Sequence, residues 1–120
     1  MTETVIILPH PPSLSQCFTN VSGKGRAKTR KYEAWEKEAG WTLKAQRPDK
    51  FHGPVDITWT FGEAPGEWDM SNCLKALEDL LVNMRVIGND STKIIRDFRC
   101  KLDPSIDGVK IEIRTFVGEE

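Results

Sequence analysis

Asp69, Asn72, Lys75, Asp79 and Asp90 are the residues of this 120-residue chain whose types and spacing suit chemistry on a phosphate. Carboxylates supply the hard oxygen ligands that Mg²⁺ prefers, and one or two suffice when waters and phosphate oxygens complete the shell. A cation held that way activates water and neutralises charge during an in-line displacement at a phosphodiester. A lysine beside it stabilises the negative charge that develops on the phosphate. Each residue taken alone also suits a structural role. Asp69 or Ser71 can cap a helix, Asp79 can pair with a surface cation, and Asp90 can close a turn. His10 and His52 are the only histidines, and neither has a metal-ligand or triad partner at a recognisable spacing. A histidine zinc centre and a histidine-based hydrolase triad are therefore not indicated.

These residues need elements to position them. Placed on a helical wheel, residues 69–84 put Met70, Cys73, Leu74, Leu77, Leu80, Leu81 and Met84 on one arc. Asp69, Asn72, Lys75, Ala76, Asp79 and Asn83 fall on the other, so the pattern predicts a helix seated on a core with its chemistry facing outward. Gly88-Asn89-Asp90 then ends the segment, and Asp90 is expected to return toward the helix start. Upstream, Val5–Leu8 reads as a buried strand stopped by Pro9, with Pro11-Pro12 as a rigid exit and residues 13–25 as a loop. A first helix starts at about Thr29, with Tyr32, Trp35, Ala39 and Leu43 as its buried stripe. Val55, Ile57, Trp59 and Phe61 alternate with polar residues, which predicts a strand with one buried face. Residues 93–101 read as a further strand. After a turn at 103–108, Val109, Ile111 and Ile113 make the last one. The order β-α-β-α-β-β predicts an α+β fold, a small mixed sheet with two main helices packed on one face, in a single domain spanning residues 1–120.

Composition narrows the partners. The net charge of −1 advertises no global affinity for nucleic acid, so any such case rests on local clusters. One exists: Lys24, Arg26, Lys28, Arg30 and Lys31 suit contacts to phosphates, although charge runs are more often solvated surface. Cys17, Cys73 and Cys100 fit neither a zinc pattern nor a disulfide framework and point to a reducing, cytoplasmic setting. No apolar run reaches membrane-spanning length, and the N-terminus lacks a signal-peptide pattern.

The whole pattern resembles the RusA family of Holliday-junction resolvases, small endonucleases common in prophages. The strand-Pro-Pro-Ser opening is present as Leu8-Pro9-His10-Pro11-Pro12-Ser13. The central signature, roughly D-x-D-N-x-x-K-x-x-x-D-x-L, is present from Asp69 to Leu81, and the downstream acidic pair as Asn89-Asp90-Ser91. Arg30, Tyr32 and Trp35 resemble the start of the family's first helix. The resemblance implies a homodimer that cleaves four-way DNA junctions by paired nicks with Mg²⁺ or Mn²⁺. It implies Asp69 and Asp90 as metal ligands, Lys75 as the essential lysine, and Ser71, Asn72 and Asp79 in support. The family's second signature aspartate falls at Ser71 and the first acid of its downstream pair at Asn89, so two carboxylates are replaced by neutral groups. Two expectations result: an active metal-dependent junction endonuclease, or a catalytically weak junction-binding protein on the same fold. The two-fold interface is expected among exposed apolar residues of the first helix or the terminal strands.

Overall fold

The computed structural model describes residues 3–23, 25–64, 68–89 and 91–117. Its elements run β1 (Glu3–Leu8), α1 (Leu14–Cys17), β2 (Phe18–Val21), β3 (Gly25–Lys28), α2 (Arg30–Ala45), β4 (Val55–Phe61), α3 (Met70–Asn83), β5 (Ile95–Leu102) and β6 (Val109–Thr115). The expected β-α-β-α-β-β order is carried by β1, α2, β4, α3, β5 and β6. Segment 13–25 departs from expectation. It is not a loop but the short helix α1 followed by a β2–β3 hairpin, paired from Phe18↔Lys28 to Val21↔Gly25. Gly23, with φ +75°, turns the chain there at a left-handed angle that other residues rarely adopt.

The main sheet has the order β1-β6-β4-β5, with β4 and β5 parallel and the other pairs antiparallel. Alternation along β4 works as predicted: Val55, Ile57, Trp59 and Phe61 are fully buried. They share one core with Ile6, Leu8, Val109, Ile111 and Ile113 from the sheet, Tyr32, Trp35, Ala39 and Leu43 from α2, and Cys73, Leu74, Leu77, Leu80 and Leu81 from α3. Two helices thus cover one face of a mixed sheet, an α+β arrangement. Two details differ from the sequence reading. Val5 and Ile7 are exposed, because β1 is an edge strand with one covered face and only Ile6 and Leu8 point inward. Ala76, expected on the polar arc of α3, is buried, so the apolar arc is one position wider than the wheel suggested.

Helix termini are held by side chains. Thr29 Oγ1 caps α2 by accepting from Tyr32 N at 3.2 Å and donates to Gln16 O at 2.6 Å, which ties the helix to α1. Gly108 has φ +74°, and a Cβ there would collide with the Leu8 carbonyl, so the β5–β6 turn requires glycine where it passes β1.

The β4–α3–β5 crossover positions the site. Because β4 and β5 are parallel neighbours, α3 begins near the end of β4 and runs back toward its start. Past the helix, Val86 O accepts from Phe51 N at 2.8 Å and Ile94 O from Val55 N at 2.7 Å. The start of α3 and the residues Val86 and Ile94 therefore lie at opposite ends of the sheet. Among the described residues, no helix is long and apolar enough to cross a membrane.

Candidate active site

Asp69 is the N-cap of α3. Its Oδ1 accepts from Asn72 N and from Ser71 Oγ, each at 2.9 Å, and its Oδ2 accepts from Asn72 Nδ2 at 3.1 Å. The capping role that the sequence left open is real, and it does not exclude a chemical one. A carboxylate offers about four lone-pair positions, so three donors leave it able to take another partner. Asp69, Ser71 and Asn72 are all exposed at the helix start, where the helix dipole favours negative charge and anionic ligands. The donors gathered there are hard oxygens, which suits Mg²⁺ or Mn²⁺ better than a soft metal. Further along the exposed side, Lys75 Nζ lies 3.1 Å from Asp79 Oδ1 in an i,i+4 pair. Both side chains keep contact with solvent, so the pair contributes little to stability and Lys75 can change partner at low cost.

Asp90 lies outside the described residues. Its neighbours do not: Ser91 N donates to Asn89 Oδ1 at 3.1 Å and Ile94 N to Ser91 O at 3.0 Å. Asn89, Ser91 and Ile94 stand past the far end of α3, and the expected return of Asp90 toward the helix start falls outside the described residues. Among the described residues there is no group of three or more histidine, cysteine, aspartate or glutamate side chains placed to hold a metal.

The basic segment occupies the β2–β3 hairpin and the first turn of α2. Arg26 stacks its guanidinium over Phe18 at 4.5 Å, Lys28 Nζ pairs with Glu36 Oε1 at 3.1 Å, and Lys31 Nζ donates to Gln16 Oε1 at 3.2 Å. Arg30 is exposed and makes no ion pair among the described residues. Lys24 lies outside them. The cluster is thus a real surface feature whose members are partly held by neighbours.

The structure adds a cleft that the sequence reading did not find. Trp35 Nε1 donates to Pro9 O at 2.9 Å and Cys17 Sγ to Pro12 O at 3.8 Å, which hold the Pro9–Pro12 loop against α1 and α2. His10 sits edge-on to Trp68 at 4.5 Å and to Phe61 at 5.9 Å. Between this loop and the approach to α3 is a cleft of about 430 Å³, lined by His10, Pro12, Lys31, Trp68 and Cys73 among others. Lys31 from the basic segment and Trp68, the residue before Asp69, both face it. An aromatic immediately before the signature acid was the available sequence signal.

A protein-family model described as Endodeoxyribonuclease RusA matches residues 9–114. The chain belongs to this RusA family. No individual curated protein matches it. The match spans the Pro-Pro segment, α3 and the strands that follow it. His10, Pro11 and Pro12 form one wall of the cleft beside α3.

The cysteines around this RusA-family surface are chemically quiet. Burial, and then the Asp69 carboxylate, pushes the Cys73 thiol up to about 11 from its ordinary 9.0. Burial also raises Cys17 and Cys100, and pushes Tyr32 up to about 12 from 10.0. A thiol raised in this way holds little of the thiolate that acts as a nucleophile at neutral pH. The raised values also set a pH dependence. These groups are neutral in both states below the ordinary 9.0 of an unfolded thiol, and above it the unfolded chain ionises first. The stability they contribute is full below that pH and is lost as pH climbs toward about 11. Thermal melts should be level between neutrality and roughly pH 8.5 and fall steadily above roughly pH 9. A melting temperature that held constant into strongly alkaline buffer would contradict this.

Proposed function

We propose that the protein is a Mg²⁺- or Mn²⁺-dependent endonuclease that resolves four-way DNA junctions by paired symmetric nicks as a homodimer. The observation that carries the reading is Asp69, exposed at the start of α3 and held there by Ser71 and Asn72, in a chain of the RusA family. Asp69 and Asp90 would hold the cation, with Asn72 orienting Asp69 through the hydrogen bond from its amide. The bound cation would supply activation of water and charge neutralisation at the scissile phosphodiester. Lys75 contacts the phosphate after exchanging its Asp79 partner, and Asp79 holds Lys75 in place until then. Lys24, Arg26, Lys28, Arg30 and Lys31 bind the phosphate backbone without reading sequence.

A second reading has its own observation. Ser71 occupies the place of a family acid, and its hydroxyl donates to Asp69 at 2.9 Å without adding charge. With Asn89 also neutral, the protein would bind branched DNA and cleave it weakly. Incubating a labelled four-way junction with the protein, with and without Mg²⁺ or Mn²⁺, separates the two. Metal-dependent paired nicks support the endonuclease, whereas tight junction binding with no product in either metal supports the binder.

The basic segment makes its own prediction. Replacing Lys28 and Arg30 together by alanine should weaken junction binding and flatten the slope of log affinity against log salt by about 1 to 2, one unit per lost phosphate contact. Lys28 must exchange Glu36 for phosphate, so the larger share is expected from Arg30. Equal salt slopes for variant and parent would return the segment to ordinary solvated surface.

A further inference from the structure

We propose that the groove between α2 and the end of α3 docks an acidic segment of another protein, one that carries a large apolar side chain between two carboxylates.

The groove has a volume of about 260 Å³. It is lined by Glu36, Lys37, Gly40, Trp41 and Lys44 of α2 and by Met84, the C-cap of α3. Ligand cavities start at about 300 Å³, so this one suits a single inserted side chain better than a whole small molecule. Trp41 is 65% exposed, more than any other tryptophan or phenylalanine among the described residues. A lone exposed apolar side chain needs no explanation, but this one borders a groove shared with a methionine. Tryptophan is enriched where binding energy concentrates, and methionine adapts its shape to what it meets.

Gly40 is a second, independent observation. It lies inside α2, where glycine weakens a helix more than any residue except proline. The fold does not require it, because a Cβ at position 40 would meet nothing within 4 Å. Alanine would fit there and strengthen the helix, so packing within the chain does not explain the glycine. What the missing side chain does is keep the floor of the groove open.

Charge selects the occupant. Lys37 and Lys44 border the groove, both are exposed, and neither makes an ion pair among the described residues. Lys44 holds its ammonium over the Trp41 ring, 5.8 Å from the centroid. The acid at the rim, Glu36, is already neutralised, since both of its oxygens accept from Lys28 Nζ at 3.1 Å. Two unpaired cations around an apolar floor complement carboxylates on either side of an apolar anchor. A nucleic acid fits less well, because a phosphate backbone crossing α2 here would run past Glu33, Glu36 and Glu38.

Spacing sets the motif. Lys37 and Lys44 lie two turns apart on one helix face, roughly 10.5 Å along its axis. In an extended segment, the residues two places before and after the anchor point the same way as the anchor and span about 13 Å. An Asp-x-Leu-x-Asp segment therefore sets its leucine over Gly40, between Trp41 and Met84, with an aspartate near each lysine. The groove is also remote from the candidate active site. Asp69 caps one end of α3 and Met84 the other, roughly 21 Å apart. A docked segment leaves the α3 start open, so the groove tethers the protein to its partner and takes no part in chemistry.

Fluorescence anisotropy of a fluorescein-labelled Asp-Ser-Leu-Ser-Asp peptide tests this. Binding should be saturable and weaken with added salt. Trp41→Ala, and Lys37→Glu combined with Lys44→Glu, should each weaken it by about tenfold or more. Gly40→Leu should abolish binding yet raise the melting temperature, because the new side chain fills the floor and suits a helix better. Peptides with alanine for leucine, or lysines for aspartates, should not bind. All of these protein variants should bind a four-way junction as the parent does. Absence of saturable binding at millimolar peptide, or equal binding by Gly40→Leu, overturns the proposal. So does loss of junction binding in the lysine variant, which would make the groove a nucleic-acid surface. A Trp41→Ala protein that sediments as a smaller species than the parent would mean that a second copy covers the groove, and overturns it as well.

Discussion

Asp69→Asn should reduce junction cleavage by about a thousandfold or more while leaving the fold and junction binding intact. Asparagine is among the best N-cap residues, and its side-chain oxygen can still accept from Asn72 N, the 2.9 Å bond that starts α3. A flip of the Asn72 amide restores the second contact. What disappears is the charge, which is the property a hard cation requires. Urea denaturation should therefore change little, and electrophoretic binding should be equal or tighter, because one repulsion against phosphate is gone. Ser71→Asp probes the same site from the other side. It removes the hydroxyl donor 2.9 Å from Asp69 and sets a second carboxylate beside the first. Without metal the melting temperature should drop. Added Mg²⁺ should raise it by more than in the parent, since a ligand that binds only the native state stabilises that state. Normal cutting by Asp69→Asn, or a metal response of Ser71→Asp no larger than the parent's, would place the cation elsewhere.

Trp59→Ala should cost about 3–5 kcal/mol, which is most of the stability of an ordinary domain. Trp59 is fully buried at the centre of β4, between β5 and β6. The surrounding side chains come from the sheet and both long helices, so the void cannot collapse by moving one element. Trp59→Phe should be far milder. The indole Nε1 is buried and has no hydrogen-bond partner among the described residues, so replacing the indole by a phenyl ring removes an unsatisfied donor along with some volume. Equilibrium urea unfolding of both variants checks the pair. Equal losses for alanine and phenylalanine would mean that Nε1 is satisfied in solution.

Recognition of the family was legible in sequence because it rests on local spacing. The D-x-x-N-x-x-K-x-x-x-D run from Asp69 to Asp79 and the Pro-Pro-Ser opening stand at set offsets along the chain. The roles of their neighbours were less legible. His10 and Trp68 are 58 positions apart in sequence and 4.5 Å apart as rings, and no periodicity connects them. The hairpin at β2–β3 was missed because its strands are four residues each and exposed, so burial leaves no alternation to read.

Amino-acid pattern by itself determined the elements that bury a face. The period-two run of β4, the Tyr32-Trp35-Ala39-Leu43 stripe of α2 and the apolar arc of α3 all arise from side chains that must leave water together. It also determined which residue types could meet a phosphate. Only the tertiary structure decided where those residues stand relative to one another. Asp69 and Asp90 are 21 positions apart in the sequence, and nothing in their spacing says whether the intervening helix brings them together or holds them apart. The parallel pairing of β4 with β5 settles it for the flanking residues. A crossover helix must run the length of the strands it joins, so the segments before and after it emerge at opposite ends of the sheet.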